Sequence, residues 1–586
     1  MKAYTYKLTL MRKSNTILLL LVIFALTSCK KLLNLTPEDT LNPTNYFSNA
    51  KELQLWTNQF YSQLDAADAQ SGQNADDNVD NALGEVMTGQ RDAASENGWG
   101  FGNLRKINYY LQNSSNCKDA AARRQYDGVA YFMRAYFYFI KVRQYGDVPW
   151  YNQVLGSDDD ALLFKPRDSR ELVMDSVMSD LDKAISMLPV AKSKATVSKW
   201  AALALKSRVA LYEGTYRKYH GLQNADKYLQ QSVAAGADFI QNSGYKLYTT
   251  GTEPYRTLFN TIDALTDEVI LARMYSTTTN LTHGIPFNII NGRQGFTKRF
   301  MNHYLMADGS RYTSQSGWQT RLFADETQNR DPRLKQTVLS PGYIQKGATV
   351  TTLNKLVAVT GYQPIKFVAE VAYDGASKAM TDWPLFRTAE VYLNFAEAKA
   401  ELGSLSQNDL DISVNKIRAR VNMPALNLAT ANSNTDDLLL NYYPNVTKGA
   451  NTGVILEIRR ERTIELVLEG FRQWDLFRWK EGKSLTGPFY GCYFPGPGRY
   501  DMNNDGTNDL VLWVGTRETI TGGTSKQIGV DVILSEGNSG YIVAYPTITT
   551  TWVENRDYLW PIPTSERVLT GGKLTQNPGW TDSSGF

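Results

Sequence analysis

One nine-residue string has the spacing of a metal loop. Asp501, Asn503, Asp505, Thr507 and Asp509, with Gly506 at the turn, read D-x-N-x-D-G-x-x-D. Side-chain oxygens from positions 1, 3, 5 and 9 and a backbone carbonyl at position 7 wrap one centre, and hard calcium takes six to eight such oxygens. Leu512 stands where a bidentate acid is expected. The same composition also makes a turn between two strands that needs no ion. A second chemistry is stacking. Trp99 sits between Gly98 and Gly100 in ENGWGFGN, which predicts a ring presented to ligand instead of packed in the core. Arg91, Asp92 and Asn97 stand nearby to grip hydroxyls, and Trp318 and Tyr312 in DGSRYTSQSGW form a second candidate set. Aromatic faces beside such polar groups suit a neutral polar ligand such as a sugar ring.

Catalytic patterns are missing from the sequence. It contains no G-x-S-x-G, no H-E-x-x-H and no phosphate-binding Walker loop, and His220, His283 and His303 lack metal-ligand spacing. The triplet Asp158, Asp159 and Asp160 reads as a solvated loop. The expectation is a non-enzyme whose one cofactor is structural calcium.

A third reactive group is a thiol. Residues 17 to 29, ILLLLVIFALTSC, follow Lys2, Lys7, Arg12 and Lys13 and place Cys29 after Leu26, Thr27 and Ser28. The apolar run is too short to span a bilayer, and the tetrad looks like a bacterial lipobox, so residues 1 to 28 read as a cleaved signal and Cys29 as the lipidated residue. Removing them takes away four basic and no acidic side chains, turning a formal charge of +3 into −1. With no basic excess, nucleic acid is a poor partner. Aromatic residues make up 12% of the chain, enough for both a core and a binding face. Cys117 and Cys492 permit one disulfide or two buried thiols.

The elements that must position these groups are mostly helical. Residues 29 to 48 read as a lipidated tether and 49 to 586 as one domain. Helical periodicity marks residues 49 to 64, 127 to 145, 170 to 188, 199 to 219, 226 to 235, 388 to 402, 409 to 420 and 453 to 480. Alanines at contact positions (Ala201, Ala202, Ala204; Ala396, Ala398, Ala400) point to tetratricopeptide-like pairs, although no 34-residue repeat can be counted. In RRERTIELVLEG the charged residues are expected to pair at i, i+3 and i, i+4 along one helix surface. Trp474 and Trp479 read as core, and the prolines of WPIP as a short extended segment. Two non-helical regions, about 244 to 387 and 484 to 560, carry the short strand-like runs and are expected to bear the binding face.

These strings, in this order, carry a resemblance over nearly the whole mature length. RAYFYFIKVRQYGDVPWY (134 to 151), NRDPRLKQTVL (329 to 339), FRTAEVYLNFAEAKAELG (386 to 403), VNKIRARVNMP (414 to 424), RRERTIELVLEGFRQWDLFRW (459 to 479) and YLWPIPTSERVLTGGKLTQNPGW (558 to 580) resemble the SusD/RagB family. The resemblance implies a mainly α fold: four tetratricopeptide-like helix pairs, with long irregular loops and small β-hairpins forming a ligand-binding face. It also implies a surface-exposed outer-membrane lipoprotein of Bacteroidota-type bacteria, held by its lipid anchor alone, that captures glycans for a SusC-like TonB-dependent transporter. Two alternatives stay open, a peptide-binding RagB-like member and a non-binding structural assembly subunit. Lys30 and Lys31 follow Cys29 where surface-destined relatives often carry acids, so the membrane face also stays open.

Overall fold

The computed structural model describes residues 46–64, 74–95 and 98–586; the signal segment, Cys29 and Asn97 lie outside them. The longer helices are α1 (Ala50–Asn58), α2 (Gly102–Asn113), α3 (Ala120–Tyr145), α4 (Arg170–Met187), α5 (Lys199–Tyr219), α6 (Ala225–Asn242), α7 (Thr388–Glu401), α8 (Val414–Arg420), α9 (Thr452–Glu465) and α10 (Arg472–Arg478). Their ends follow local chemistry. The Asp119 carboxylate accepts from the backbone N–H groups of Ala121 and Ala122 at the start of α3, and Ser169 and Ser198 cap α4 and α5. Gly146, at φ 74°, closes α3 in a conformation that side chains disfavour.

Successive helices pack as neighbours: α3 on α4, α4 on α5, α5 on α6, α6 on α7, and α7 on α9. Small residues bring them close. Ala201, Ala202, Ala204, Ala396 and Ala398 are fully buried, and a Cβ on Gly236 would come within 2.9 Å of Phe395. The main core runs from Phe47 to Leu574, so the last residues of the expected tether are already packed: Phe47 is buried against Trp56 and Tyr110.

Two expected helices are broken. Residues 409 to 420 divide at Ser413, whose hydroxyl donates to the Asp409 carbonyl and diverts the helical ladder. The stretch from 453 to 480 stops at Glu465 and resumes at Arg472, because Leu468 (φ 61°) and Gly470 (φ 80°) turn the chain. That turn buries Leu466, Val467 and Leu468, which a straight helix would spread around its axis.

The strands lie between these blocks: β1 (Asn78–Val79), β2 (Val269–Arg273), β3 (Gly295–Phe296), β4 (Trp383–Arg387), β5 (Phe489–Phe494), β6 (Gly498–Tyr500), β7 (Leu510–Trp513), β8 (Thr524–Gln527) and β9 (Gly540–Ala544). β1 pairs with β3, β2 with β4 and β5 with β9, all antiparallel. β6 and β7 form a hairpin that β8 joins in parallel. Cys117 and Cys492 are both buried and unpaired, which settles the thiol question. Among the described residues no helix is long and apolar enough to cross a membrane.

The charged residues of RRERTIELVLEG do not line a surface. Arg459, Arg460, Glu461, Arg462 and Glu465 are all buried. Glu465 takes Arg387, Arg420 and Arg333 at 2.7, 2.6 and 3.3 Å; Glu461 takes Arg333 and Arg418; Glu469 takes Arg387 and Lys366. None of the short-range ion pairs expected within this string forms; the one i, i+3 pair here, Arg460 with Glu457, reaches outside it. Burial alone would raise the Glu465 carboxyl, but Arg420, Arg387 and Arg333 outweigh it and hold it well below the carboxylate range. Trp479 is core, and its indole donates to Glu397 at 2.7 Å; Trp474 is partly buried and stacks on Trp560 of WPIP.

Candidate functional site

The loop face carries a cleft of about 300 Å³ lined by aromatic and polar side chains. Pairing of β1 with β3 brings Asp76 beside the turn Lys298–Met301, which the Thr297 hydroxyl caps. Asp76 takes Arg472 at 2.5 Å and Arg299 at 2.8 Å, and the Arg299 guanidinium lies 4.2 Å from the Tyr442 ring centre. Across the cleft, the β5 and β9 pair sets Tyr490 and Tyr541 with ring centres 5.6 Å apart. The Tyr541 hydroxyl donates to the Gln319 carbonyl at 2.7 Å, tying β9 to the turn that carries Trp318. Burial pushes that hydroxyl up to about 12, so it remains a proton donor at neutral pH. Lys298 sits beneath, 5.7 Å from the Tyr541 ring, 6.0 Å from Trp318 and 2.8 Å from Glu326. Trp318, Tyr442 and Tyr541 are partly exposed and Tyr490 is exposed. Rings with open area beside Arg299, Asn302 and Asp76 match a neutral ligand with an apolar face and polar edges.

Of the site residues expected from sequence, Trp318 lines this cleft. Tyr312 lies behind it: the ring is buried under the Arg330 guanidinium at 3.7 Å, and its hydroxyl donates to the Trp318 carbonyl at 3.0 Å. The first candidate set lies elsewhere, and here the sequence expectation is corrected. Trp99 is 3% exposed, edge-on to Tyr145 at 4.8 Å and to Phe101 at 5.6 Å. Its flanking glycines permit a turn that carries the ring inward, where apolar area leaves water. One edge reaches the wall of an apolar pocket of about 430 Å³ shared with Phe101, Leu104, Tyr151 and Leu155. Arg91 cannot grip a ligand, being buried between the Trp560 and Trp580 rings and 3.1 Å from Asp557. Asp92 is exposed and accepts from the N–H groups of Ala94 and Ser95. Sequence reading missed Tyr442, Tyr490, Tyr541, Arg299 and Asp76; tyrosine richness of the 484 to 560 region was the one signal available.

The loop from Asp501 to Asp509 is the turn joining β6 to β7. Asp501 accepts from the N–H groups of Asp505 and Gly506, Asn503 from Asp505, and Asp505 from Thr507. Among the described residues no three His, Cys, Asp or Glu side chains are placed to hold a metal ion. One oxygen fits a cation: Asp509 Oδ2 is buried without a donor. Burial raises the Asp509 carboxyl, and the charges of Asp501 and Asp505 add to this against the Met502 N–H.

A helical scaffold presenting a ligand-sized cleft on its loop face is the architecture, and comparison with known proteins names it. Residues 268–580 match the SusD family, and residues 45–211 match the family described as starch-binding and associating with the outer membrane. The first match covers more than half the chain, and the protein belongs to the SusD family. A SusD-like protein of Formosa agariphila is 26% identical over 416 residues, 66% of this chain and 70% of that one. A SusD-like protein of Bacteroides fragilis superposes with a TM-score of 0.68 at 24% identity, covering 91% of this chain and 98% of its own. A SusD-like carbohydrate binding protein of the same species gives 0.65 at 19% identity over 89% and 98%. A laminarin binding SusD-like protein gives 0.53 at 18% identity over 91% and 100%. These likenesses show the fold.

Proposed function

We propose that the protein is a non-catalytic, cell-surface glycan-binding lipoprotein, anchored through Cys29 in the outer membrane, which delivers oligosaccharide to a SusC-like TonB-dependent transporter. The observation that carries this reading is the convergence of Trp318, Tyr490 and Tyr541 on one side of a cleft with Arg299, Asn302 and Asp76 on the other. Two family descriptions supply probes, starch for the matched family and laminarin for the solved relative. Calorimetry with maltoheptaose and laminariheptaose on the mature chain is expected to show binding to at least one. Trp318→Ala is expected to weaken it about tenfold or more, since one aromatic contact at a hot spot is commonly worth over 1 kcal/mol. The melting temperature should stay within about two degrees, as Trp318 is only partly buried. Peptide-library binding with no sugar affinity would replace this reading by the peptide-binding one. Recovery of a SusC-like barrel with the tagged protein, and release of Cys29→Ala into the soluble fraction, test delivery and anchoring.

A further inference from the structure

The cleft that holds Trp318 carries more positive charge than the carboxylates beside it cancel. Asp76 is shared by two guanidiniums: Arg472 grips both of its oxygens, at 2.5 and 2.7 Å, and Arg299 Nε stands 2.8 Å from Oδ2 without the alignment of a hydrogen bond. Glu326 is likewise the counter-ion of two cations. It accepts from Lys298 at 2.8 Å, while Arg330, packed 3.7 Å from the Tyr312 ring, gives its hydrogen bonds to the carbonyls of Glu326, Met301 and Tyr304. Arg299, Arg472, Lys298 and Arg330 thus stand against two carboxylates. Two further acids nearby add little: burial pushes the carboxyls of Asp77, next to Asp76, and of Glu481, near Arg299, up to about 7, so neither holds a full negative charge at neutral pH.

Arg299 is where this excess meets solvent. The Arg472 and Lys298 side chains are 8% and 6% exposed, whereas that of Arg299 keeps 23% of its surface and lines the cleft. Its Nη2 donates to the Tyr442 carbonyl at 2.6 Å and to the Ser484 hydroxyl at 3.1 Å. Its Nη1 makes no hydrogen bond among the described residues and is not sealed from the cleft. An open guanidinium nitrogen takes an anionic oxygen in preference to a hydroxyl, because charge-assisted hydrogen bonds are shorter and roughly twice as strong as neutral ones. The rings of the same cleft suit the apolar face of a sugar, and this nitrogen suits a negative group at its edge.

We propose that the cleft selects glycans bearing an acidic group, a uronate carboxylate or a sulfate ester, and holds that group at Arg299. This rests on the glycan reading above and names the class of glycan. Neutral oligosaccharide still stacks on Trp318, but its hydroxyls offer Arg299 a weaker acceptor. A cationic amino sugar is disfavoured by the same charges.

Calorimetry on the mature chain compares maltoheptaose and laminariheptaose with their C6-carboxylate, C6-sulfate and 6-amino forms, which keep the backbone and change the charge. For the wild type we expect an acidic form to bind at least about tenfold tighter than its neutral parent, and the amino form to bind more weakly than the parent. Whichever acidic form gains identifies the group as carboxylate or sulfate. Arg299→Gln is expected to bring the ratio of acidic to neutral affinity below about threefold, and Arg299→Lys, which keeps the charge, to hold it above that. Should Arg299→Gln not fold, the wild-type order of acidic above neutral above amino decides. Acidic forms that bind no tighter than the neutral ones overturn the proposal and leave the glycan reading standing. So does an undiminished ratio in folded Arg299→Gln. No binding of any form to the wild type overturns the glycan reading and the proposal together.

Discussion

Arg299 in the cleft and Arg459 on α9 both lie over an aromatic ring, 4.2 Å from Tyr442 and 4.4 Å from Trp479, yet the two regions do opposite work. Around α9 the rings and charges are sealed from water, and Arg333, Arg387 and Arg420 converge on Glu465. On the loop face, Trp318, Tyr490 and Tyr541 keep open area, and the polar groups beside them border a cavity. Buried charge needs its partners inside the protein, whereas a binding face must leave part of its surface for a ligand to complete. The same aromatic rings serve scaffold or site according to whether the fold covers them or leaves a face open to the cleft.

The sharpest test breaks the sealed side. Glu465→Ala leaves three buried guanidiniums without their shared carboxylate, and breaking even one buried pair costs about 3–5 kcal/mol. We expect no folded protein by thermal melting or circular dichroism; a melting temperature near that of wild type would show that the network is not structural. Trp99→Ala comes next. A buried tryptophan truncated to alanine costs about 3–5 kcal/mol, so the melting temperature should fall clearly while affinity in the surviving folded fraction is kept. Lost affinity with unchanged melting would move Trp99 into the binding side of the comparison.

Proton linkage gives a smaller effect with a defined sign. Burial would raise the Glu397 carboxyl, but Arg478 outweighs it and holds it down to about 2, below its ordinary 4.5. Its contribution is therefore complete above 4.5 and lost as pH falls towards 2. Asp77 is the reverse: burial pushes it up to about 7 from 3.8, opposed by Arg472 and reinforced by Asp76. Its contribution is complete below 3.8 and fades as pH rises through 7. Asp77→Asn should raise the melting temperature at pH 8 by on the order of a few degrees and change it less at pH 5. An equal shift at both values would show that Asp77 does not titrate in this range. The smallest expected effect is at the β6 to β7 turn. We expect calcium at about ten times its dissociation constant to add about 1.4 kcal/mol, read as a modest rise in melting temperature that chelator reverses and Asp509→Asn removes. An unchanged curve would leave the loop a turn without an ion.

Helix positions were legible because they depend on local pattern. Lys199–Tyr219 begins and ends where the apolar period and Ser198 place it, and Pro189 lies just beyond α4 as a stop. The break after Glu465 was not legible, since an apolar run such as Leu466 to Leu468 fits a helix until its neighbours demand a turn. The site was legible only at Trp318. Glycine flanks made Trp99 look exposed, although they say only that the backbone can bend there, not which way the ring then points.

The sequence by itself determined the helical scaffold, the lipobox at Cys29 as an expectation, and the absence of the familiar catalytic motifs, all properties of residues near one another in the chain. Only the tertiary structure decided which aromatics form the cleft. Tyr490 meets Tyr541 across two paired strands, and Arg472 meets Asp76 from 396 positions away. Burial is set by such distant partners: a ring is scaffold when the fold brings another segment to cover it, and keeps a face for ligand when none arrives.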